Sequence, residues 1–332
     1  MTEPLLRVEN LRVELPGRRG VVTAIDDVSF AVAPGEVLGI VGESGAGKSL
    51  TGAAIIGLLE PPLHLVGGRI AFAGRRIDNL PGEAMRRIRG RQIGMIFQDP
   101  LTSLNPLYTI GRQLIETIRT HLDLAPASAR ERALALLHEV GIAGAERRLY
   151  QYPHQFSGGM RQRIVIALAI AANPRLIIAD EPTTALDVSI QAQIIALLQR
   201  LSRNSGAAVV LISHDMGLIA ETAHRVAVMY AGRVVEIGPV REIISHPRHP
   251  YTRGLMNAIP RIGGGRDRLC QIEGAMPRLG EIPAGCPFGP RCAEASDACR
   301  RWRPQLLPAA GTDAACWLYA RMPAPTGEVV NG

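Results

Sequence analysis

At 332 residues and 47% hydrophobic content the chain can hold one large α/β domain and a smaller appendage, and its 4% aromatic content predicts an aliphatic core. The net charge of +7 suits a membrane surface, an acidic partner or RNA, but it is too diffuse to argue for nucleic acid: residues 241–332 carry 12 Arg against 8 Asp and Glu. The densest basic cluster, Arg86-Arg87-Ile88-Arg89-Gly90-Arg91, reads as a solvated turn. In chain order, Leu6–Glu9, Leu11–Glu14 and Val28–Val32 alternate apolar and polar residues and predict strands. Pro34-Gly35 turns the chain into Val37–Val41, a short buried strand.

The next stretch, Gly42-Glu43-Ser44-Gly45-Ala46-Gly47-Lys48-Ser49, has the spacing of a phosphate-binding loop. Its four fixed positions would match by chance in roughly one chain of this length in a hundred. Lys48 is the only lysine; every other basic residue is arginine. A position that keeps lysine against that bias needs a compact, flexible ammonium rather than a planar fork. A helix over Leu50–Leu59, stopped by Pro61-Pro62, completes the strand–loop–helix context. The glycines let backbone N–H groups turn inward, and the helix N-terminus adds partial positive charge. Lys48 would reach the β- and γ-phosphates, and Ser49 would ligate Mg²⁺.

Gly67–Gly74 reads as another strand segment. Ile93–Gln98 is an apolar strand ending in glutamine, followed by breaks at Asp99-Pro100 and Asn105-Pro106. From Ile110 to about Arg148 the period becomes helical, with Gly141 as a stop. A helix over Met160–Ala172 follows Gln155–Arg163, which carries Ser157-Gly158-Gly159. Leu176–Asp180 is an apolar strand ending in Asp180-Glu181. Thr184-Ala185-Leu186-Asp187 leads into a helix over Val188–Arg203. Ala207–Ile212 is a buried strand reaching His214, and Arg225–Gly238 reads as a hairpin. After about residue 245 the composition shifts to Pro, Gly, Arg and Cys.

Acids ending a parallel strand beside a phosphate loop make chemical sense. Asp180 would hold Mg²⁺, directly or through water, and Glu181 would polarise the attacking water. Gln98 could reach Mg²⁺ or water, and His214 could donate to a γ-phosphate. The N-terminus has neither the basic start nor the apolar core of a secretion signal. The longest apolar run, Ile164–Ala172, is far short of a bilayer span, so the expectation is a soluble or peripheral, cytoplasmic chain.

The phosphate loop, Gln98, Phe156–Met160, Asp180-Glu181, Thr184–Asp187 and His214, in this order, resemble the ATP-binding-cassette (ABC) ATPases. The Ser-Gly-Gly segment discriminates, because other phosphate-loop enzymes lack it. The resemblance implies an α/β fold: a core of mainly parallel sheet, antiparallel N-terminal strands and an inserted helical subdomain at about 99–160. It implies that Gly42, Ser44, Gly45, Ala46, Gly47, Lys48 and Ser49 bind ATP, and that Ser49, Gln98 and Asp180 hold Mg²⁺. Glu181, His214 and Gln98 would be catalytic. Ser157, Gly158, Gly159 and Met160 would bind the γ-phosphate held by a second cassette, and Asp187 would communicate across that dimer. Met160 stands where the family usually has Gln. The family also stacks an aromatic on adenine; the matching place is Leu15, with no aromatic near it.

The tail, His246–Thr252 and then Ile282–Cys292, resembles the C-terminal extension of oligopeptide/dipeptide-importer ATPases. That divides the chain into an ATPase domain over 1–245 and a small loop-rich extension over 246–332. Cys286, Cys292, Cys299 and Cys316 match four tail cysteines of that family, thought there to hold a [4Fe-4S] cluster. Their spacing (five, six and sixteen residues between) fits neither a zinc finger nor a ferredoxin run, and by itself leaves a cluster, zinc or free thiols open. Cys270 falls outside the pattern, and Trp317 stands where the family often has His.

The resemblance implies a peptide-import motor at the cytoplasmic face of the membrane. Its partners would be two transmembrane permease subunits, a second ABC ATPase subunit and an extracytoplasmic substrate-binding protein, with no nucleic acid. The competing expectation is a non-transport ABC ATPase acting on DNA or ribosomes. Those chains typically carry paired cassettes, long coiled coils or strongly basic insertions, none of which this sequence shows.

Overall fold

The first strand shows how the alternation becomes structure. In β1 (Leu6–Gly17), Leu6, Val8, Leu11 and Val13 are all buried, although the period slips by one between Val8 and Leu11. Asn10 absorbs the slip in a left-handed conformation (φ 47°), and a register shift in the pairing marks the bulge there. Its side-chain amide donates to Asp27 Oδ1 (2.6 Å) and its backbone N–H to Ser29 Oγ (2.8 Å). The two short strands expected from the sequence are therefore one bulged strand whose apolar set stays on one face.

The structure is a computed structural model in which residues 3–17, 20–184, 186–258 and 271–319 are described. After β1 come β2 (Gly20–Val32), β3 (Val37–Val41), α1 (Lys48–Ile55), β4 (His64–Phe72), β5 (Arg75–Arg76), α2 (Gly82–Ile88) and β6 (Ile93–Ile96). Four short or medium helices follow: α3 (Pro100–Ser103), α4 (Ile110–His121), α5 (Pro126–Glu139) and α6 (Ala145–Arg148). Then α7 (Gly158–Ala169), β7 (Leu176–Asp180), α8 (Val188–Ser205), β8 (Ala208–Ser213), α9 (Met216–Thr222), β9 (Arg225–Tyr230) and β10 (Arg233–Pro239) complete the alternation. The tail adds α10 (Val240–Ser245), α11 (Pro250–Asn257), α12 (Asp297–Arg301), β11 (Leu307–Ala309) and β12 (Thr312–Ala314).

Two sheets form. A four-stranded antiparallel sheet has the order β2-β1-β4-β5. An eight-stranded sheet has the order β11-β12-β10-β9-β3-β8-β7-β6, in which β9, β3, β8, β7 and β6 run parallel. The parallel strands β3, β7 and β8 are buried at every residue, as strands covered on both faces must be. Val37 and Val41 of β3 point into the core under α7, α8 and α9, while Leu38 and Ile40 point into the core shared with the antiparallel sheet and α1. The chain is thus layered, with β3 in the middle of the sheet and the loop after it at the sheet's C-terminal edge.

The tail packs directly on this body. The β11–β12 hairpin pairs through β12 with β10, so the tail lengthens the main sheet. Tyr230 at the end of β9 meets Tyr251 (ring centroids 4.7 Å) and Phe288 (5.3 Å, edge-on at 86°). Three of the chain's 13 Phe, Tyr and Trp residues thus cluster where the tail meets the sheet. Glu236 of β10 is fully buried there. Its carboxylate accepts from the backbone N–H of Arg248 (2.8 Å) and His249 (2.9 Å) and from Thr312 Oγ1 (3.1 Å). Losing it would strand two backbone donors at roughly 1–3 kcal/mol each. Asp26 of β2 adds a second tie. Burial alone would raise its pKa, but Arg233 and Arg303, each 2.6 Å away, hold the carboxyl below its usual value.

Candidate functional site

Three strand ends and one loop meet at the C-terminal edge of the parallel sheet. The loop between β3 and α1 curls through glycines: Gly47, the residue before α1, has φ 97°, and a side chain there would come within 2.6 Å of Ile25 Cδ1. At Gly42 a Cβ would collide with the Met229 carbonyl oxygen of β9. The β9–β10 turn braces the loop from behind, Gly232 N–H donating to Ala46 O (3.0 Å). Ala46 is buried under this brace. Helix α1 starts at Lys48, two residues earlier than its apolar period predicts, and ends at Ile55 before Gly57 (φ 62°) rather than at Leu59.

Lys48 is 4% exposed. Its Nζ donates to the carbonyls of Gly42 (2.9 Å) and Glu43 (3.1 Å) and lies 4.0 Å from Glu181 Oε1. Burial lowers its pKa against the opposing pull of Glu181, Asp180 and Glu43. The Ser49 hydroxyl donates to Asp180 Oδ1 (2.8 Å). Burial raises the Asp180 pKa; the Ser49 hydrogen bond lowers it, Glu181 raises it and Lys48 lowers it, leaving it above the ordinary value. A serine hydroxyl at the start of α1 and a carboxylate at the end of β7, in contact, form a pair of hard oxygen donors suited to Mg²⁺.

Glu181 follows β7 in a left-handed conformation (φ 44°), with its N–H on Ile212 O of β8 (2.9 Å). Left-handed backbone is uncommon for a glutamate and points to a constrained functional position. Its Oε2 accepts from Gln98 Nε2 (3.1 Å) and Thr184 Oγ1 (2.9 Å), and His214 Nδ1 lies 3.3 Å away. Gln98, Glu181 and His214, each just beyond the end of a parallel strand, therefore converge. They line a cavity of about 390 Å³ together with Ser44, Gly45, Gly47, Lys48 and Ser49.

Other expected residues lie elsewhere. Leu15 does not line the cavity; it is half-buried and pairs with Val22 across β1 and β2. The apolar part of the lining comes from Ala24, Leu50 and the tail residue Leu279. Ser157 caps α7 with Oγ on Met160 N–H (3.4 Å), so the helix begins at Gly158 rather than Met160. Ser157 and Gly158 are exposed, and Gly159 packs so closely on α8 that a Cβ would lie 2.8 Å from Ile190. Asp187 is exposed at the start of α8. The Ser157–Met160 turn and Asp187 thus share one exposed face, and neither lines the cavity. Thr184, which fixes Glu181, lay inside a recognised stretch but carried no sequence signal of that contact.

Cys286, Cys292, Cys299 and Cys316 are free thiols lining a second cavity of about 400 Å³. Burial raises the pKa of Cys286 and Cys292 and pushes Cys316 up to about 11. Among the described residues no three His, Cys, Asp or Glu side chains are grouped so as to hold a metal ion. Cys270 lies outside the described residues.

A phosphate loop on the central strand, a serine–aspartate pair and a glutamate bracketed by Gln98 and His214 define an ABC-type phosphate-loop ATPase. Two family models match the chain: ABC transporter over residues 25–184, and oligopeptide/dipeptide transporter, C-terminal region, over 235–299. A relative from Brucella abortus (strain 2308), named as a peptide import ATP-binding protein, is 47% identical over 315 residues, covering 95% of each chain. One from Sinorhizobium fredii, named as a peptide ABC transporter ATP-binding protein, is 50% identical over 98% of this chain and 96% of its own. Among solved structures, the dimeric ATP-binding cassette MJ0796 bound to ADP and Pi matches with a TM-score of 0.64 at 28% identity, over 71% of this chain and 99% of that one. The Clostridium perfringens cbiO1 structure matches with a TM-score of 0.63 at 27% identity, over 74% and 92%. The chain belongs to the ATP-binding subunits of the peptide ABC-transporter family. It carries the ATPase of a multi-subunit transport system, and no helix among its described residues is long and apolar enough to cross a membrane.

Proposed function

We propose that the chain is the ATP-hydrolysing motor subunit of a peptide importer, working at the cytoplasmic face of the membrane. The observation that carries this reading is the Glu181 carboxylate, held by Gln98, Thr184 and His214 and 4.0 Å from the lysine of the phosphate loop. Lys48 neutralises the β- and γ-phosphates. Ser49 and Asp180, with Gln98, would hold Mg²⁺, which would supply charge neutralisation across the phosphates. Glu181 accepts the proton of the attacking water, and His214 donates to the γ-phosphate. Gly42, Ser44, Gly45, Ala46 and Gly47 present backbone N–H groups to the phosphates.

The exposed Ser157-Gly158-Gly159-Met160 turn binds the γ-phosphate held by a second cassette, and Asp187 beside it links the two sites. ATP then closes the pair, and closure moves two transmembrane permease subunits fed by an extracytoplasmic substrate-binding protein. Residues 1–245 form the ATPase domain, with the insert at about 99–160 as the permease-facing part, and 246–332 form the extension.

Tagged purification from native membranes with mass spectrometry tests this reading. Two multi-span permeases and a second cassette are the expected companions. A soluble complex with ribosomal or DNA-repair proteins would overturn the transport assignment.

We further infer that Cys286, Cys292, Cys299 and Cys316 hold a [4Fe-4S] cluster. The reading is supported by four thiols lining one cavity of about 400 Å³ with Phe288, Trp317 and Leu318; in this structure no three metal-ligating side chains among the described residues are yet grouped to hold an ion. Bound there, the cluster would supply a covalent staple and a one-electron redox centre. Anaerobically purified protein is expected to carry about four irons and matching sulfide per chain; stoichiometric zinc, or no metal, would refute the assignment.

A further inference from the structure

We propose that Leu279, in the C-terminal tail, is the base-side wall of the nucleotide cavity and contacts the purine of bound ATP. The proposal rests on the reading of that cavity as the ATP site. The cavity lining holds two chemically different sets of residues. Ser44, Lys48, Ser49, Gln98, Glu181 and His214 are the polar set, which suits a triphosphate. Ala24 of β2, Leu50 of α1 and Leu279 bring aliphatic side chains to the lining and contribute no side-chain donor or acceptor. Among the described residues no Phe, Tyr or Trp lines the cavity. Leu279 is 47% exposed, so a large aliphatic side chain stands half in water at a polar cavity. A flat purine face would cover that surface.

The tail is placed to do this by contacts at both ends of the segment. A Cβ at Gly45 of the phosphate loop would lie 4.0 Å from Met276 Sδ. A Cβ at Gly280 would lie 3.9 Å from Val22 Cγ2 of β2. Residues 276–280 therefore run from the phosphate loop to β2, and Leu279 sits between those anchors. Arg291 fixes the approach to this segment. Its Nη1 donates to both oxygens of Glu43 (3.1 Å each), and its guanidinium also donates to the carbonyls of Ile272 (3.2 Å), Glu273 (2.9 Å) and Gly274 (3.2 Å). The Glu43 backbone N–H donates to Tyr251 Oη (2.9 Å). One guanidinium thus ties the phosphate loop to the segment of tail that leads to Leu279. A contact of this kind reads the flatness and area of the base and not its hydrogen-bonding edge.

Calorimetric titration of the full chain with ATP, and separately with inorganic tripolyphosphate, tests the contact. Leu279→Ala is expected to weaken ATP about fivefold and Leu279→Trp to tighten it by a similar factor. Neither variant should change tripolyphosphate binding, which has no base to touch. The fluorescence of the introduced tryptophan should respond to ATP and not to tripolyphosphate. Unchanged ATP affinity in both variants, or equal changes for ATP and tripolyphosphate, would overturn the proposal. Failure of the unmodified chain to bind ATP would overturn the ATP reading of the cavity, and the tail contact with it.

Discussion

Glu181→Gln lowers the steady-state ATPase rate by about 10³-fold while ATP binding persists. The substitution is nearly isosteric, so the turn after β7 keeps its shape: the backbone N–H bond to Ile212 O does not depend on the side chain. An amide oxygen can still accept from Gln98 Nε2 and Thr184 Oγ1, which now hold the carboxylate at 3.1 and 2.9 Å. What disappears is the group that can take a proton from water and the negative charge 4.0 Å from Lys48 Nζ. Binding should therefore hold or improve while turnover stops, and the ATP-bound cassette pair should accumulate. Phosphate-release kinetics and size-exclusion chromatography with ATP measure the two effects. A variant that hydrolyses at the unmodified rate would remove Glu181 from the role of general base.

The parts of this site that were legible in the sequence are those fixed by local chemistry. Strands β3, β6, β7 and β8 are short apolar runs, and each ends at a residue that only an exposed sheet edge could use: the glycine loop, Gln98, Glu181 and His214. A parallel sheet then brings those ends together without any further information. Ends of helices were less legible, because caps override apolar period: Ser157 starts α7 two residues before Met160, and α1 ends at Ile55 four residues before Leu59. The bulge at Asn10 looked like a strand break because a slip of one residue and a gap leave the same trace in an alternation.

The tail was legible only as composition. Strands β11 and β12 are three residues each, too short for any period, and β12 is a strand because β10 is there to pair with it. The same holds for Arg291 and Glu43, which meet across 248 residues of sequence. Leu15 pairs with Val22 across the β1–β2 hairpin, whereas the aliphatic lining of the cavity includes Ala24 and a residue 255 positions beyond it in the chain, Leu279, a distance no local pattern spans.

Lys48→Arg lowers the ATPase rate by about 10²–10³-fold, although it keeps the charge and matches the composition of every other basic site in the chain. Lys48 Nζ spends two of its three donors on Gly42 O and Glu43 O, at 2.9 and 3.1 Å, inside the loop itself. The third remains for a phosphate, and a tetrahedral ammonium can serve all three directions from one point. A guanidinium is planar and larger, and the side chain it would replace is 4% exposed, so it must either leave the loop carbonyls unpaired or displace the loop. Either outcome misplaces charge at the phosphates, where loss of one preorganised donor costs about 10²–10³ in rate. ATPase assays with Lys48→Arg and Lys48→Ala side by side make the comparison. If the two fall together, geometry and not charge is what keeps a lone lysine in an arginine-rich chain; if arginine retains the activity that alanine loses, the position needs only a cation.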